Sequence, residues 1–290
     1  MTTLELFNSD CLLKLRDIPD KSISLILCDL PYGQLATKQN NNITLKRIEN
    51  GVVTGKRAET PNGFTGGCAW DVKIDLDEFW KQVKRIRKND KVACIHFCNT
   101  RFGYDLIHSN EAEFRYDLVW SKVSKIGQPV AVGFLSANKK PMSSHEMIYV
   151  FSKKSASYNR IDIEGDFGKW LCGKNGKRTG NHADAGLPKQ NISGGEGKRC
   201  PTSVIECVIA RSNQKGEKKE HKHPTEKPKK LYEWLISRYS NPGDTILDPT
   251  FGSCNSGEVA RELGRNFIGC EMNKEFYDKA VERLLAPTNA

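Results

Sequence analysis

The sequence predicts an α/β fold built on a doubly wound, mostly parallel sheet. Three observations point there: apolar runs of strand length recur along the chain, amphipathic helical stripes lie between several of them, and three runs end in an acidic residue. Strands that alternate with helices bury both faces of a parallel sheet. In chain order the strand-length runs are Ile23 to Cys28, Val92 to Phe97, Tyr116 to Trp120, Met147 to Phe151, Thr245 to Leu247 and Phe267 to Cys270. Leu76, Phe79, Trp80, Val83 and Ile86 recur at helical spacing, with Lys81, Lys84 and Arg85 on the other side. Leu231, Trp234, Leu235 and Tyr239 repeat that pattern after Pro228, a residue that suits a first helical turn.

The chain has 290 residues, room for one large domain with an elaboration or for two small ones. Its strongest apolar stretch, Ile23 to Cys28, is far short of a membrane span. The opening MTTLELFNSD has no basic region followed by an apolar run, so no secretory signal is expected and the chain reads as cytoplasmic, with no membrane partner. Of its 10 cysteines, Cys28, Cys94, Cys207 and Cys270 fall in apolar runs and are expected as reduced core thiols. His221 and His223 with a distant cysteine are the weak remaining zinc arrangement; no metal is expected.

Two segments break the alternation. Residues 34–69 carry QNNN and little apolar periodicity, as a long functional or mobile loop would. Residues 153–230 hold 18 Lys and Arg against 9 Asp and Glu, and so nearly all of the net charge of +10. Such a concentration suits a phosphate backbone, whose condensed counterions are released on neutralisation; a solvated linker is the alternative on charge alone.

Ligands of open parallel sheets bind beyond the carboxyl ends of the strands. Asp29 follows SISLILC, Asp248 follows DTIL and Glu271 follows NFIGC. From Asp248 the chain runs DPTFGSCNSGEVARELG, a strand, a small-residue loop and a helix, and Glu271 lies 19 residues after Gly252. That spacing is close to the one at which dinucleotide folds place a ribose-binding acid. The middle glycine of such a loop would fall at Cys254, whose side chain would crowd a pyrophosphate, so a nucleoside without phosphates fits better, S-adenosylmethionine being one. An ordinary nucleotide or a structural turn stays open on this segment alone.

In LILCDLPYG, a strand delivers Asp29 to the sheet edge, Pro31 fixes the backbone and Tyr32 offers a flat ring just beyond. An exocyclic amine on a base is a poor nucleophile because its lone pair is delocalised. A carboxylate and a backbone carbonyl accepting its two hydrogens would draw it towards tetrahedral geometry and stabilise its developing charge. An aromatic ring would stack on the extruded base. A strand followed by a proline turn is the plain alternative.

With both segments in view, the sequence resembles the beta-class, permuted DNA amino-methyltransferases, which use S-adenosylmethionine. DLPYG at 29–33 looks like that family's catalytic tetrapeptide and DPTFGSCNSG at 248–257 like its cofactor loop, with the catalytic segment first and the cofactor loop last. NSDC at 8–11, SSHEMIYVFSKK at 143–154 and HPTEKP at 223–228 extend the likeness. The resemblance implies a Rossmann-like methyltransferase fold with residues 1–154 as the catalytic half, 155–222 as a basic target-recognition region and 223–290 as the cofactor half. It implies that Asp29 and the carbonyl of Leu30 hold the target amine, with Pro31 shaping the turn and Tyr32 stacking on the base. Phe251, Gly252 and Ser253 would line the cofactor, with Asp29 bordering it. Glu271 would bind its ribose, Asp10 would approach its adenine, Thr225 and Lys227 would meet its methionine carboxylate, and Asp248 would support the loop. Leu30 stands in place of a proline and Cys254 in place of a glycine; neither change removes a proposed catalytic group.

An aspartate at the head of the tetrapeptide favours the 6-amino group of adenine over the 4-amino group of cytosine. Double-stranded DNA is the implied partner, and relatives of this kind often form homodimers. A nicotinamide-dependent oxidoreductase shares the loop-to-acid spacing, an RNA methyltransferase shares the chemistry, and a noncatalytic DNA-binding protein shares the charge. His145 and Glu146 are adjacent on a strand and so point to opposite faces; one is expected to be buried beside a partner, and neither is given a catalytic role.

Overall fold

A computed structural model describes residues 2–32, 73–132, 137–164, 198–209 and 226–285. The expected loop at 34–69, most of the basic segment, His221, His223 and Thr225 lie outside the described residues.

The central sheet contains β1 (Leu4–Phe7), β2 (Leu25–Cys28), β3 (Ala93–Cys98), β4 (Phe114–Val123), β5 (His145–Phe151), β8 (Val204–Val208), β9 (Thr245–Asp248) and β10 (Asn266–Cys270). A separate pair joins β6 (Ile163–Glu164) to β7 (Lys198–Arg199), antiparallel. The order in the main sheet is β1-β10-β9-β2-β3-β5-β4-β8. Every neighbouring pair is parallel except the two made by β5, which runs against both β3 and β4. The mostly parallel, doubly wound architecture read from the sequence is thus realised, with one reversed strand inside it.

Alternation along the strands divides the core in two. Leu25 and Leu27, Ala93, Ile95 and Phe97, and Ile148 and Val150 pack on one face beneath α4 (Lys229–Tyr239) and α5 (Asn255–Glu262). Ile26 and Cys28, Cys94 and Cys98, and Tyr149 and Phe151 pack on the other face, with α1 (Cys11–Asp17), α2 (Leu76–Ile86) and α3 (Thr100–Ser109). α6 (Lys274–Leu285) buries Ala280 and Leu284 in the first of these clusters. The α2 stripe buries Phe79, Trp80, Val83 and Ile86, and Asp75 caps the helix by accepting from the N–H groups of Asp77 and Glu78. In α4, Leu231, Tyr232, Leu235, Ile236 and Tyr239 are buried and Pro228 is the N-cap; Trp234 is only half-buried. The eight described cysteines are free thiols, seven of them buried.

β1 carried little sequence signal, and β8 was legible only as the short apolar run around Cys207. β1 is a four-residue LELF, too short to show a period, and it takes its place by pairing with β10. β8 lies inside the stretch expected to read a target sequence, yet it extends the main sheet beside β4. Residues just after 154 are also tied to the body of the domain: Asn159 donates to the carbonyls of Ser237 and Ser240 at the end of α4. No helix among the described residues is long and apolar enough to cross a membrane.

At Gly269 the chain leaves no room for a side chain. A Cβ there would lie 2.6 Å from the Phe267 ring and 2.7 Å from the Phe251 ring, and both rings are buried. Gly269→Ala is expected to destabilise the fold by about 1–3 kcal/mol, as overpacking of a filled core does, measured by urea unfolding.

Candidate active site

β9 leads through α5 to β10 on one side, and β2 leads through α2 to β3 on the other. Chain direction across the sheet therefore reverses between β2 and β9, and a crevice opens beyond their carboxyl ends. Leu25 pairs with Ile246 and Ile26 with Leu247, so the DLPY turn and the DPTFGSC turn leave the sheet side by side. The neighbouring ends of β10 and β1 add Glu271 and Asp10. Four adjacent parallel strands thus present four acids along one edge.

Asp29 continues the parity of Leu25 and Leu27 and lies on the α4 face. Its Oδ2 accepts from Lys227 Nζ at 2.6 Å and its Oδ1 from the Tyr32 hydroxyl at 3.2 Å. Burial raises its pKa, the Lys227 ammonium lowers it, and the Glu146 carboxylate raises it again. Leu30 turns to the opposite face, where its side chain packs in the core with Phe79 and Phe102, leaving its backbone at the site. Pro31 is half-buried, and the Tyr32 ring stacks on Phe102 at 5.0 Å.

The second turn is held by its own hydrogen bonds. Asp248 accepts from Thr250 N at 3.1 Å and from the Ser256 hydroxyl at 2.6 Å, tying β9 to α5. Phe251 N donates to the Cys270 carbonyl, and Gly252 N donates to Glu271 Oε2 at 2.9 Å, joining the loop to β10. Glu271 Oε1 accepts from Asn273 N. Burial raises the Glu271 pKa, and these N–H groups partly offset it. Gly252 has a φ of +52°, as a glycine readily allows. Cys254 holds φ +57° as the N-cap of α5, and its side chain is fully buried in the core, not directed at the crevice; Ser253 is half-buried between them. Asp10 caps α1, accepting from Leu12 N at 2.8 Å and Leu13 N at 3.2 Å.

Lys227 reaches the site from the segment ahead of α4. Asn255 of α5 fixes that segment by donating to the Lys227 carbonyl and to Glu226. The ammonium lies 2.6 Å from Asp29 Oδ2 and 3.4 Å from Glu146 Oε2, above the Phe97 ring. Burial favours a neutral lysine, but the two carboxylates outweigh it and raise the pKa. The expectation for Lys227 placed it at a cofactor carboxylate; here its partners are carboxylates of the chain itself.

Glu146 is the site residue that the sequence reading left without a role. β5 is antiparallel, so its amino end, not its carboxyl end, meets the crevice, and a search restricted to the residues after strands passes over it. The signal that was present is parity: Glu146 alternates with the buried Ile148 and Val150, while the exposed His145 takes the other side; Glu146 itself is half-buried, beside Lys122 and Lys227. Lys122 of β4 completes the group at 2.6 Å from Glu146 Oε1.

Beneath β2, Cys28, Cys94 and His96 bring two thiols and an imidazole within 4.8 Å, the single such trio of metal-donor types found among the described residues. Cys94 Sγ lies 3.3 Å from His96 Nε2, and Phe79, Trp80 and Phe151 pack edge-on or tilted around the imidazole and one another. A thiol–imidazole hydrogen bond in an aromatic core accounts for this geometry.

Asp248 is fully enclosed, and burial pushes its pKa to about 7, with the Ser256 hydroxyl holding it back. The folded state therefore keeps this proton more tightly than the unfolded chain, and stability attached to it is lost as pH rises from about 4 to about 7. Asp248→Asn should lose less stability than the parent over that interval, by roughly 2–4 kcal/mol, in urea unfolding at matched pH.

A profile of the N6/N4 methyltransferase family, described as DNA methylase, matches residues 23–282. The type II methyltransferase M.HinfI of Haemophilus influenzae is 28% identical over 289 residues, covering 96% of this chain and 67% of its own length. The type II methyltransferase M1.MboII of Moraxella bovis is 30% identical over 251 residues, covering 81% of this chain and 90% of its own. Among solved structures, the PvuII DNA methyltransferase, titled cytosine-N4-specific, superimposes with a TM-score of 0.60 at 18% identity, covering 100% of this chain and 89% of that one. The M1.HpyAVI–SAM complex gives 0.53 at 19%, covering 97% of this chain and 100% of that one. The structures agree in fold, and the sequence match spans both turns that meet at the crevice: the chain belongs to the N6/N4 DNA methylase family.

Proposed function

We propose that the protein transfers a methyl group from S-adenosylmethionine to the 6-amino group of an adenine turned out of double-stranded DNA. The observation that carries this reading is the adjacency of Asp29 and the Gly252–Glu271 loop at the reversal point of the sheet. Family membership sets aside the nicotinamide-dependent alternative.

The donor set fits the cofactor. A sulfonium is a cation, and the edge presents the carboxylates of Asp10, Asp29 and Glu271, with Asp248 enclosed behind them. Glu271 is a hydrogen-bond acceptor beside a glycine whose missing side chain permits close approach, the chemistry a ribose diol requires. S-adenosylmethionine, when bound, supplies an electrophilic methyl group and keeps the electron pair of the broken carbon–sulfur bond as a neutral thioether. On the protein side, Asp29 and the Leu30 carbonyl accept the two amine hydrogens, so the nitrogen lone pair is freed from the ring and points at the methyl carbon. The Tyr32 hydroxyl leaves Asp29 Oδ1 as its ring turns onto the base. After transfer the ammonium nitrogen releases one proton through Asp29 to solvent, and the carboxylate is restored. Glu271, Phe251, Gly252 and Ser253 would hold the donor, with Asp10 towards its adenine, while Lys227 is engaged by Asp29 and Glu146. The basic stretch within 155–222 supplies phosphate contacts.

Nucleoside analysis of DNA treated with the protein and S-adenosylmethionine should yield 6-methyladenine. A 4-methylcytosine product would replace the base assignment, and absence of any product would overturn the enzymatic reading. Asp29→Ala should lower turnover by about 100- to 1000-fold while leaving donor binding within about tenfold, read by single-turnover kinetics and calorimetry. DNA affinity should fall linearly with salt on logarithmic axes; a flat response would remove the basic segment from the interface.

A further inference from the structure

We infer that Glu146 is a positioning residue for methyl transfer, acting through the Lys227 ammonium to hold the Asp29 carboxylate in place; this rests on the reading of Asp29 as acceptor of the target amine. The chain of contacts is continuous. Lys122 Nζ bonds Glu146 Oε1 at 2.6 Å, Glu146 Oε2 lies 3.4 Å from Lys227 Nζ, and Lys227 Nζ bonds Asp29 Oδ2 at 2.6 Å. Parity places all of it on one face: Lys122 alternates with Leu118 and Trp120, Glu146 with Ile148 and Val150, and Asp29 with Leu25 and Leu27.

The charges alternate in sign, Lys122, Glu146, Lys227, Asp29, so the group is neutral as a whole. Without Glu146, the ammonium would be centred on Asp29 and would cancel the charge needed by the nitrogen as it turns positive. With Glu146, the ammonium is shared, and Asp29 keeps a net attraction for the developing cation. Among the described residues Glu146 Oε2 is buried with no well-aligned hydrogen-bond donor, and it faces the Lys227 ammonium at 3.4 Å. Its carboxyl group stays ionised although burial opposes this, because Lys227 and Lys122 outweigh the loss of water. Building a buried group of four charges is costly, and such clusters are weak sources of stability; a role in setting the Asp29 field accounts for its presence.

The other ionisable groups facing Asp29 are Tyr32 on its own turn, Cys98 of β3, Tyr232 of α4 and Asp248 of β9. They are common to every variant compared below, so differences between variants report on Glu146 and Lys227.

The test is the pH profile of single-turnover methyl transfer for the parent, Glu146→Gln and Lys227→Met. Loss of the Glu146 charge makes Asp29 easier to ionise, so the acid limb should move to lower pH by about one unit, with turnover at the plateau reduced roughly tenfold and KM for S-adenosylmethionine within about twofold. Loss of Lys227 removes the stabilising cation, and the limb should move the opposite way. Glu146→Asp, which keeps the charge, should return the limb towards the parent. An unmoved limb in Glu146→Gln, or a shift in the same direction for both variants, overturns the inference while leaving the methyltransferase reading intact. If the parent transfers no methyl group, that reading fails. The Glu146 coupling is then read from a thermal-unfolding cycle of Glu146→Gln, Asp29→Asn and the double variant at several pH values. A non-additive cycle supports the coupling, and an additive one overturns it.

Discussion

Parallel pairing of β2 with β9 is the constraint on which the site depends. The two strands come from opposite ends of the chain's middle, and two register pairs, Leu25 with Ile246 and Ile26 with Leu247, bring them together. Everything beyond their carboxyl ends follows. Asp29 and Asp248 enter one crevice, Glu271 reaches the loop through the Gly252 N–H, and the segment carrying Lys227 is drawn in by Asn255 of α5. The pairing is buried on both faces by apolar side chains, so a one-residue slip would exchange Leu25 and Leu27 for Ile26 and Cys28 and would turn Asp29 away from α4. Core packing and site geometry are therefore specified by the same register.

Within that frame the electrostatics run against stability. Asp29, Asp248 and Glu271 are all made harder to ionise by burial, and each is rescued in part by a specific donor: Lys227, the Ser256 hydroxyl or the backbone N–H groups of Gly252 and Asn273. Five carboxyl groups, those of Asp10, Asp29, Glu146, Asp248 and Glu271, against two buried lysines, Lys122 and Lys227, leave this edge short of positive charge. This is the complement of a sulfonium, and of an amine that becomes cationic during reaction. Cys254 adds to the same picture: it takes a left-handed backbone conformation, normally left to glycine and costing about 1 kcal/mol, at the entry to α5, with its thiol buried in the core.

β5 gives the site its asymmetry. Because it runs opposite to its neighbours, it brings the start of a strand to an edge otherwise made of strand ends, and so adds Glu146 and, through β4, Lys122. A wholly parallel sheet would have placed Glu146 at the far edge, and Lys227 would have lost its second carboxylate.

Much of this was legible in the residues. The α2 and α4 stripes, the principal strands, the acids after β2, β9 and β10, and the two turns with their order along the chain all rest on local pattern, because periodicity and turn chemistry are properties of short windows. A short strand such as LELF carries no period, and the apolar run around Cys207 showed a core segment without its place in the sheet; both are decided by the neighbour they pair with. Strand direction is likewise invisible locally, which is why Glu146 could be placed on a face but not at an edge. The sequence by itself located the two turns and the acidic residues that they carry. The tertiary structure alone decided that Lys227 lies between Asp29 and Glu146, since that meeting joins three distant segments through sheet order and strand direction, and neither quantity is written in any single stretch of chain.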